Sequence, residues 1–259
     1  MFQYAEQPQS IGKVLDSGIK LFMASYKNVV GLALLAGILS NLPNFFEPRT
    51  IAENQLANPG QMVTFVVATF ASMFVGFIFY NAMVWRINAI ATGTNATFGS
   101  SMQKGIKKLL PVFGGMILYL LVVMLGSMLL LIPGLILMLS LFFYSLLIVI
   151  DNRGALQSLK TSHNLVWGNW WRTATVISIP GILIMVVYVA LGVIAGVFGI
   201  MGDVDATTMD TGMTMIISIV GITASVIGLP LFYAIALTQM HDLKLRKQGS
   251  DLEQRLDAG

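Results

Sequence analysis

The residue types that do chemistry are scarce in this chain of 259 residues: two histidines and no cysteine. Disulfides, thiolate metal sites and cysteine nucleophiles are thereby excluded. Neither His163 nor His241 has a ligand or nucleophile partner at motif spacing, and His163 reads as a polar-face residue of an interfacial helix. Asp203, Asp205 and Asp210 put three acids within eight residues, enough charge to attract calcium. They lack the glycine and the terminal glutamate of a calcium-binding loop, so a solvated acidic loop is expected. Met213 and Met215 are too few to hold copper, and the sixteen methionines read as flexible packing filler. No Gly-rich phosphate loop follows a strand. The sequence predicts no catalytic residue, no metal, no cofactor and no enzyme activity.

Two sets of residues remain as candidates for recognition. Trp167, Trp170 and Trp171, followed by Arg172, place three indoles at i, i+3 and i+4, on one face of an expected helix. Indole favours the membrane–water boundary, and a neighbouring guanidinium can reach lipid phosphate. Lys104, Lys107 and Lys108 form a second cationic group suited to anionic headgroups. Membrane lipid, with anionic headgroups, and a membrane-protein partner are the expected contacts. No nucleic-acid fold or aromatic–basic interleaving accompanies the basic gaps, so nucleic acid is not expected. Asn81 stands apart: an amide inside an apolar run needs a partner or a polar cavity, and it marks a candidate polar seam.

The elements that must position these residues are apolar runs. Asn28–Phe46, Met62–Trp85, Leu109–Ile132, Leu135–Ile150, Thr173–Ile200 and Met213–Thr238 contain no Asp, Glu, Lys, Arg or His. A spanning helix needs about 20 mostly apolar residues. With 56% hydrophobic and 10% charged residues, against roughly 25% charged in soluble domains, lipid must be the solvent for much of the surface. The expectation is an all-α, polytopic membrane protein with six transmembrane helices, one integral membrane domain over 1–259 and a cytoplasmic tail at 239–259. Leu109–Ile150 is too long for one span, and Pro133-Gly134 predicts a tight outer turn within it. Fourteen of the fifteen basic residues then fall on one side, leaving Arg49 with the acids on the other. Basic short loops stay cytoplasmic, so both termini are expected inside. The polar Met1–Ser10, without a basic or apolar signal region, is not expected to be a cleaved leader.

Each inner gap carries an amphipathic pattern: Ile11–Phe22, Phe98–Leu109 and Leu156–Trp170. These predict three interfacial helices, each ahead of a helical hairpin, and so a threefold pseudo-repeat over about 10–85, 97–150 and 154–238. Ser72/Gly76, Gly192/Gly196 and Gly221/Ser225 are small-residue pairs at helical spacing, read as packing within the chain. Pro43, Pro180 and Pro230 lie in or near spans and predict kinks.

Two segments resemble known families. Pro133-Gly134 and the run after it, with Asp151, Gly154, Ser158, Lys160, Ser162, Leu165, Trp167 and Asn169, resembles the YciC-like family of bacterial inner-membrane proteins. Asp242-Leu243-Lys244-Leu245-Arg246-Lys247-Gln248-Gly249, with Asp251-Leu252-Glu253, resembles the end of the related glycerophosphodiester-phosphodiesterase membrane-domain family. The resemblance implies a six-span protein of the bacterial inner membrane and no activity, because the phosphodiesterase of that name is a separate soluble domain. The expected role is a non-catalytic scaffold, assembly or envelope-homeostasis protein. The alternative is a transporter or channel for a neutral or lipid-like solute.

Overall fold

A computed structural model describes residues 2–46, 59–201 and 206–257. Most of the expected outer loop at 47–61 therefore lies outside the described residues, as do Asp203 and Asp205. Among the described residues every regular element is a helix: α1 Ile11–Asn41, α2 Pro59–Ala91, α3 Phe98–Leu129, α4 Leu131–Ser140, α5 Tyr144–Ile150, α6 Ala155–Val166, α7 Trp170–Met201 and α8 Ala206–Asp257. A 3-10 turn over Leu42–Phe46, carrying Pro43, follows α1. Counting α4 and α5 as one span, six helices are long and apolar enough to cross a membrane. The chain is a multi-pass membrane protein.

The burial pattern is that of a protein with two solvents. Phe70 on α2, Leu125 on α3 and Met185 on α7 are exposed, and only 11% and 12% of the most apolar stretches of α2 and α7 are buried. In water such surface would be unstable; against lipid tails it is neutral. The packed core gathers Leu21 and Leu32 of α1, Met83 and Ile87 of α2, Leu147 of α5, and Leu237 and Leu243 of α8, with Phe143 between α4 and α5.

The most extensive interface joins α1 to α8. Small residues bring the backbones together. Ser225 and Ile222 of α8 lie against Gly37 of α1, and Asn41 lies against Gly221. At the other end, a Cβ placed on Gly18 would come within 2.8 Å of the Ile235 Cα. The Gly221/Ser225 pair thus packs within the chain, as expected.

Several boundaries differ from the sequence reading. The segment Ile11–Phe22 is not a separate interfacial helix; it is the first half of α1, because no breaker separates it from the span. Part of its apolar face is covered by protein: Val14 is 1% exposed and packs with Val176 and Ile235, whereas Ile19 is 44% exposed. Phe98–Leu109 is likewise the start of α3, opened by a Thr97–Ser100 capping box. The third segment is separate but ends at Val166, with Gly168 at φ +86 before α7 begins. The three units therefore differ in build. The turn expected at Pro133-Gly134 sits at Leu130, which is extended at φ −163 and ψ 150. Pro133 falls in the first turn of α4, where its missing N–H leaves no bond unmade. Gly134 then lets α4 fold back on α3, since a Cβ there would lie 2.9 Å from the Ser127 Cα. Residues Gln239–Leu243, the start of the cytoplasmic tail expected at 239–259, continue α8 and are buried through Gln239, Met240, Asp242 and Leu243. The third outer loop, expected at 201–212, gives way to α8 from Ala206 onward.

The close α1–α8 crossing makes a direct prediction. Gly18→Val, which overpacks against the Ile235 backbone, should destabilise the fold by about 1–3 kcal/mol. Gly31→Ala, where nothing lies within 4 Å, should be neutral or stabilising by up to about 1 kcal/mol. Thermal unfolding in detergent micelles checks both.

Candidate functional site

At the N-terminal end of α7, a buried carboxylate organises three parts of the chain. Asp242 is 3% exposed on α8. Its Oδ2 accepts from Arg172 Nη2 at 2.9 Å and Nε at 3.1 Å, and from Arg246 Nε at 2.9 Å. Its Oδ1 accepts the Gln9 backbone N–H at 2.6 Å. The Gln9 carbonyl in turn accepts from Arg172 Nη2 and Arg246 Nη2, both at 2.6 Å. Both carboxylate oxygens are thus occupied, and both guanidiniums share one backbone carbonyl as second acceptor. Asp242 and Arg246 are one helical turn apart on α8, which aligns them. Arg172 arrives from the first turn of α7.

The segment before α1 is strapped to the same place. Tyr4 stacks on His241 at 4.4 Å between ring centroids. The Tyr4 hydroxyl donates to Asn88 Oδ1 of α2 at 3.1 Å, and His241 Nε2 lies 2.9 Å from the Ala5 carbonyl. Burial pushes the Tyr4 phenol well above its ordinary pKa, so it stays a protonated donor at neutral pH. Nothing in the sequence reading anticipated this strap. The available signal was Asp242 itself, an acid one turn before Arg246 in an otherwise basic stretch.

A second polar knot sits where the fourth span breaks. Between α4 and α5, the Phe143 N–H donates to Ser162 Oγ at 3.0 Å, and that hydroxyl donates to the Ser140 carbonyl at 2.8 Å. Ser162 on α6 therefore satisfies backbone groups that the break leaves open. Below it, Lys244 Nζ donates to both Asp151 oxygens at 2.7 and 2.8 Å, fixing α8 to the α5–α6 connection.

The sequence-predicted residues divide between these surroundings. Trp167 caps α6 at 64% exposure, with its ring 5.1 Å from that of His163. Trp170 and Trp171 open α7. The three indoles therefore do not share one helical face, because Gly168 and Asn169 interrupt the helix. Trp170 Nε1 donates to the Ile136 carbonyl of α4 at 3.3 Å, whereas Trp171 is 80% exposed and meets Trp170 edge-on. Arg172 turns inward to Asp242. On α3, Lys107 is exposed, Lys104 half-buried, and Lys108 buried on the face it shares with Gly105 and Val112. Asn81 is 4% exposed, and its Nδ2 has no hydrogen-bond partner among the described residues. Among the described residues no three His, Asp or Glu side chains converge as a metal site would require.

A family model described as a domain of unknown function (DUF7847) matches residues 59–241, from the start of α2 to His241 on α8. No curated protein and no solved structure matches the chain.

The two adjacent tryptophans should behave differently. Trp170→Phe removes the bond to Ile136 and should destabilise the protein by about 1 kcal/mol. Trp171→Phe, on the exposed side, should change stability by less than about 0.5 kcal/mol. Denaturation monitored by far-ultraviolet circular dichroism separates them.

Proposed function

The chain belongs to this family of unknown function, and we propose from its geometry that it is a non-catalytic membrane scaffold, an assembly or envelope-homeostasis protein that organises lipid or a membrane-protein partner around it. One observation carries this reading. Asp242, a carboxylate close to fully buried, has both oxygens occupied by Arg172, Arg246 and Gln9. A general acid, a base or a proton relay needs a free oxygen; this one is a structural tie. Lipid-facing apolar surface on α2, α3 and α7, with Trp167 and Trp171 exposed at helix ends, supports contact with lipid as the working surface.

The basic gaps favour an orientation with both termini cytoplasmic, and the resemblance favours a bacterial inner membrane. Kinship with the YciC-like and glycerophosphodiester-phosphodiesterase membrane-domain families is proposed on the shared segments alone. Their residues hold the packing here: Asp151 with Lys244, Ser162 at the span break, and Asp242 with Arg246.

A second reading, passage of a neutral solute, is favoured by a cavity of about 310 Å³ near Ser40, Asn41, Tyr188 and Ser225. Its lining offers hydroxyls and an amide and no charge. Purified protein in phosphatidylglycerol–phosphatidylcholine vesicles distinguishes the two. The scaffold reading expects no saturable flux of a neutral polyol such as glycerol or sorbitol, and no loss of vesicle lipid. Saturable flux abolished by Ser225→Trp would overturn it in favour of transport.

A further inference from the structure

A second cavity, of about 400 Å³, lies where α6 meets the α3–α4 hairpin. Its walls are amphipathic. Val122 of α3 and Leu137 of α4 form an apolar side, with Leu141 just beyond α4, while Lys160, His163 and Asn164 of α6 form a polar side. The apolar side continues onto Leu121 and Leu125 of α3, which are 52% and 62% exposed to the surroundings of the span. The polar side ends at Trp167, whose ring packs on His163. A tryptophan exposed at a helix end is the usual marker of headgroup depth. The cavity therefore runs from headgroup level toward acyl-chain level.

Its electrostatics have one sign. From Asn54 to Met201 the chain contains a single carboxylate, Asp151, and Lys244 and Arg153 attend it. The helices that line the cavity contain none. Lys160 has no acidic partner among the described residues. His163 Nδ1 is buried and makes no hydrogen bond among them. A buried polar atom without a partner is destabilising by about 1–3 kcal/mol unless something satisfies it. A phosphate or ester oxygen in the cavity satisfies it once the ring, which lines the cavity, turns a protonated Nδ1 toward it.

We propose that this cavity is a binding site for one anionic glycerophospholipid, with its phosphate between Lys160, the His163 ring and Asn164 and an acyl chain along Val122, Leu137 and Leu141. Charge selects the occupant: an anionic headgroup brings the counter-charge that α3, α4 and α6 lack, and a zwitterionic one brings its own cation against Lys160. The site rests on the scaffold reading and names its lipid class. It also assigns a role to the separate, short α6, which Ser162 pins beside the break in the fourth span.

The test is native mass spectrometry of the delipidated full-length protein titrated with phosphatidylglycerol or phosphatidylcholine. Wild type should retain phosphatidylglycerol about tenfold more tightly than phosphatidylcholine, as one charge-assisted contact implies. Lys160→Glu and Leu156→Glu, both lining the cavity from exposed positions on α6 and therefore compatible with folding, should each reduce phosphatidylglycerol binding about tenfold. Lys13→Glu, at an exposed lysine of α1, should leave it unchanged. Equal retention of the two lipids, or wild-type binding by both α6 variants, overturns the site. Conversion of the bound lipid by the wild type would instead overturn the non-catalytic reading and leave the site standing.

Discussion

A carboxylate removed from water must find its counter-charge inside the protein, and Asp242 sets the arrangement of this chain where α7 begins. Moving an ion into a low-dielectric interior is unfavourable by several kcal/mol unless paired and hydrogen-bonded. Asp242 is 3% exposed and paired twice. To supply the partners, α7 must enter with Arg172 facing α8, and α8 must stay helical one turn further to present Arg246. The residues before α1 must run close enough for Gln9 to give its N–H to the acid and its carbonyl to both guanidiniums. One buried charge thereby fixes the N-terminal strap, the first turn of α7 and the end of the sixth span together.

Away from that cluster, lipid relaxes the rules that govern soluble cores. Exposed Leu, Val and Met along α2, α3 and α7 require no cover. Association between helices falls instead to close contact and to satisfied polar groups. Both devices recur. Gly18, Gly37 and Gly134 let backbones approach, and Ser162 bridges the backbone gap between α4 and α5 with a donor and an acceptor from one hydroxyl. The break permits α6 to tuck beneath the third and fourth spans, which creates the amphipathic cavity.

Much of the architecture was legible because lipid imposes a length and a composition. The apolar runs marked all six spans, and small pairs such as Gly221 and Ser225 marked a packing face. Boundaries were less legible. Pro133 reads as a turn, yet a proline in the first turn of a helix loses no bond, so the chain reverses at Leu130 instead. The amphipathic face of Ile11–Phe22 reads as a lipid-headgroup face, but α8 runs beside it and covers Val14 with Ile235 and Thr238. The site was the least legible part. Trp167, Trp170, Trp171 and Arg172 are adjacent in sequence, but Gly168 divides the indoles, and Arg172 is drawn inward by an acid 70 positions away. No local pattern encodes that pairing. Asp242 and Arg246, one turn apart, were the visible half of it.

The central claim is that Asp242 and Arg172 act as one unit, and a double-mutant cycle of Arg172→Met and Asp242→Asn, read by equilibrium unfolding in micelles, tests it most directly. Each single change should destabilise the protein by about 3–5 kcal/mol, because each removes one charge of the buried cluster and leaves the rest of it unbalanced. The double variant should be less destabilised than the sum of the singles, with a coupling of about 1.5–3 kcal/mol. Additivity within about 0.5 kcal/mol would contradict the account.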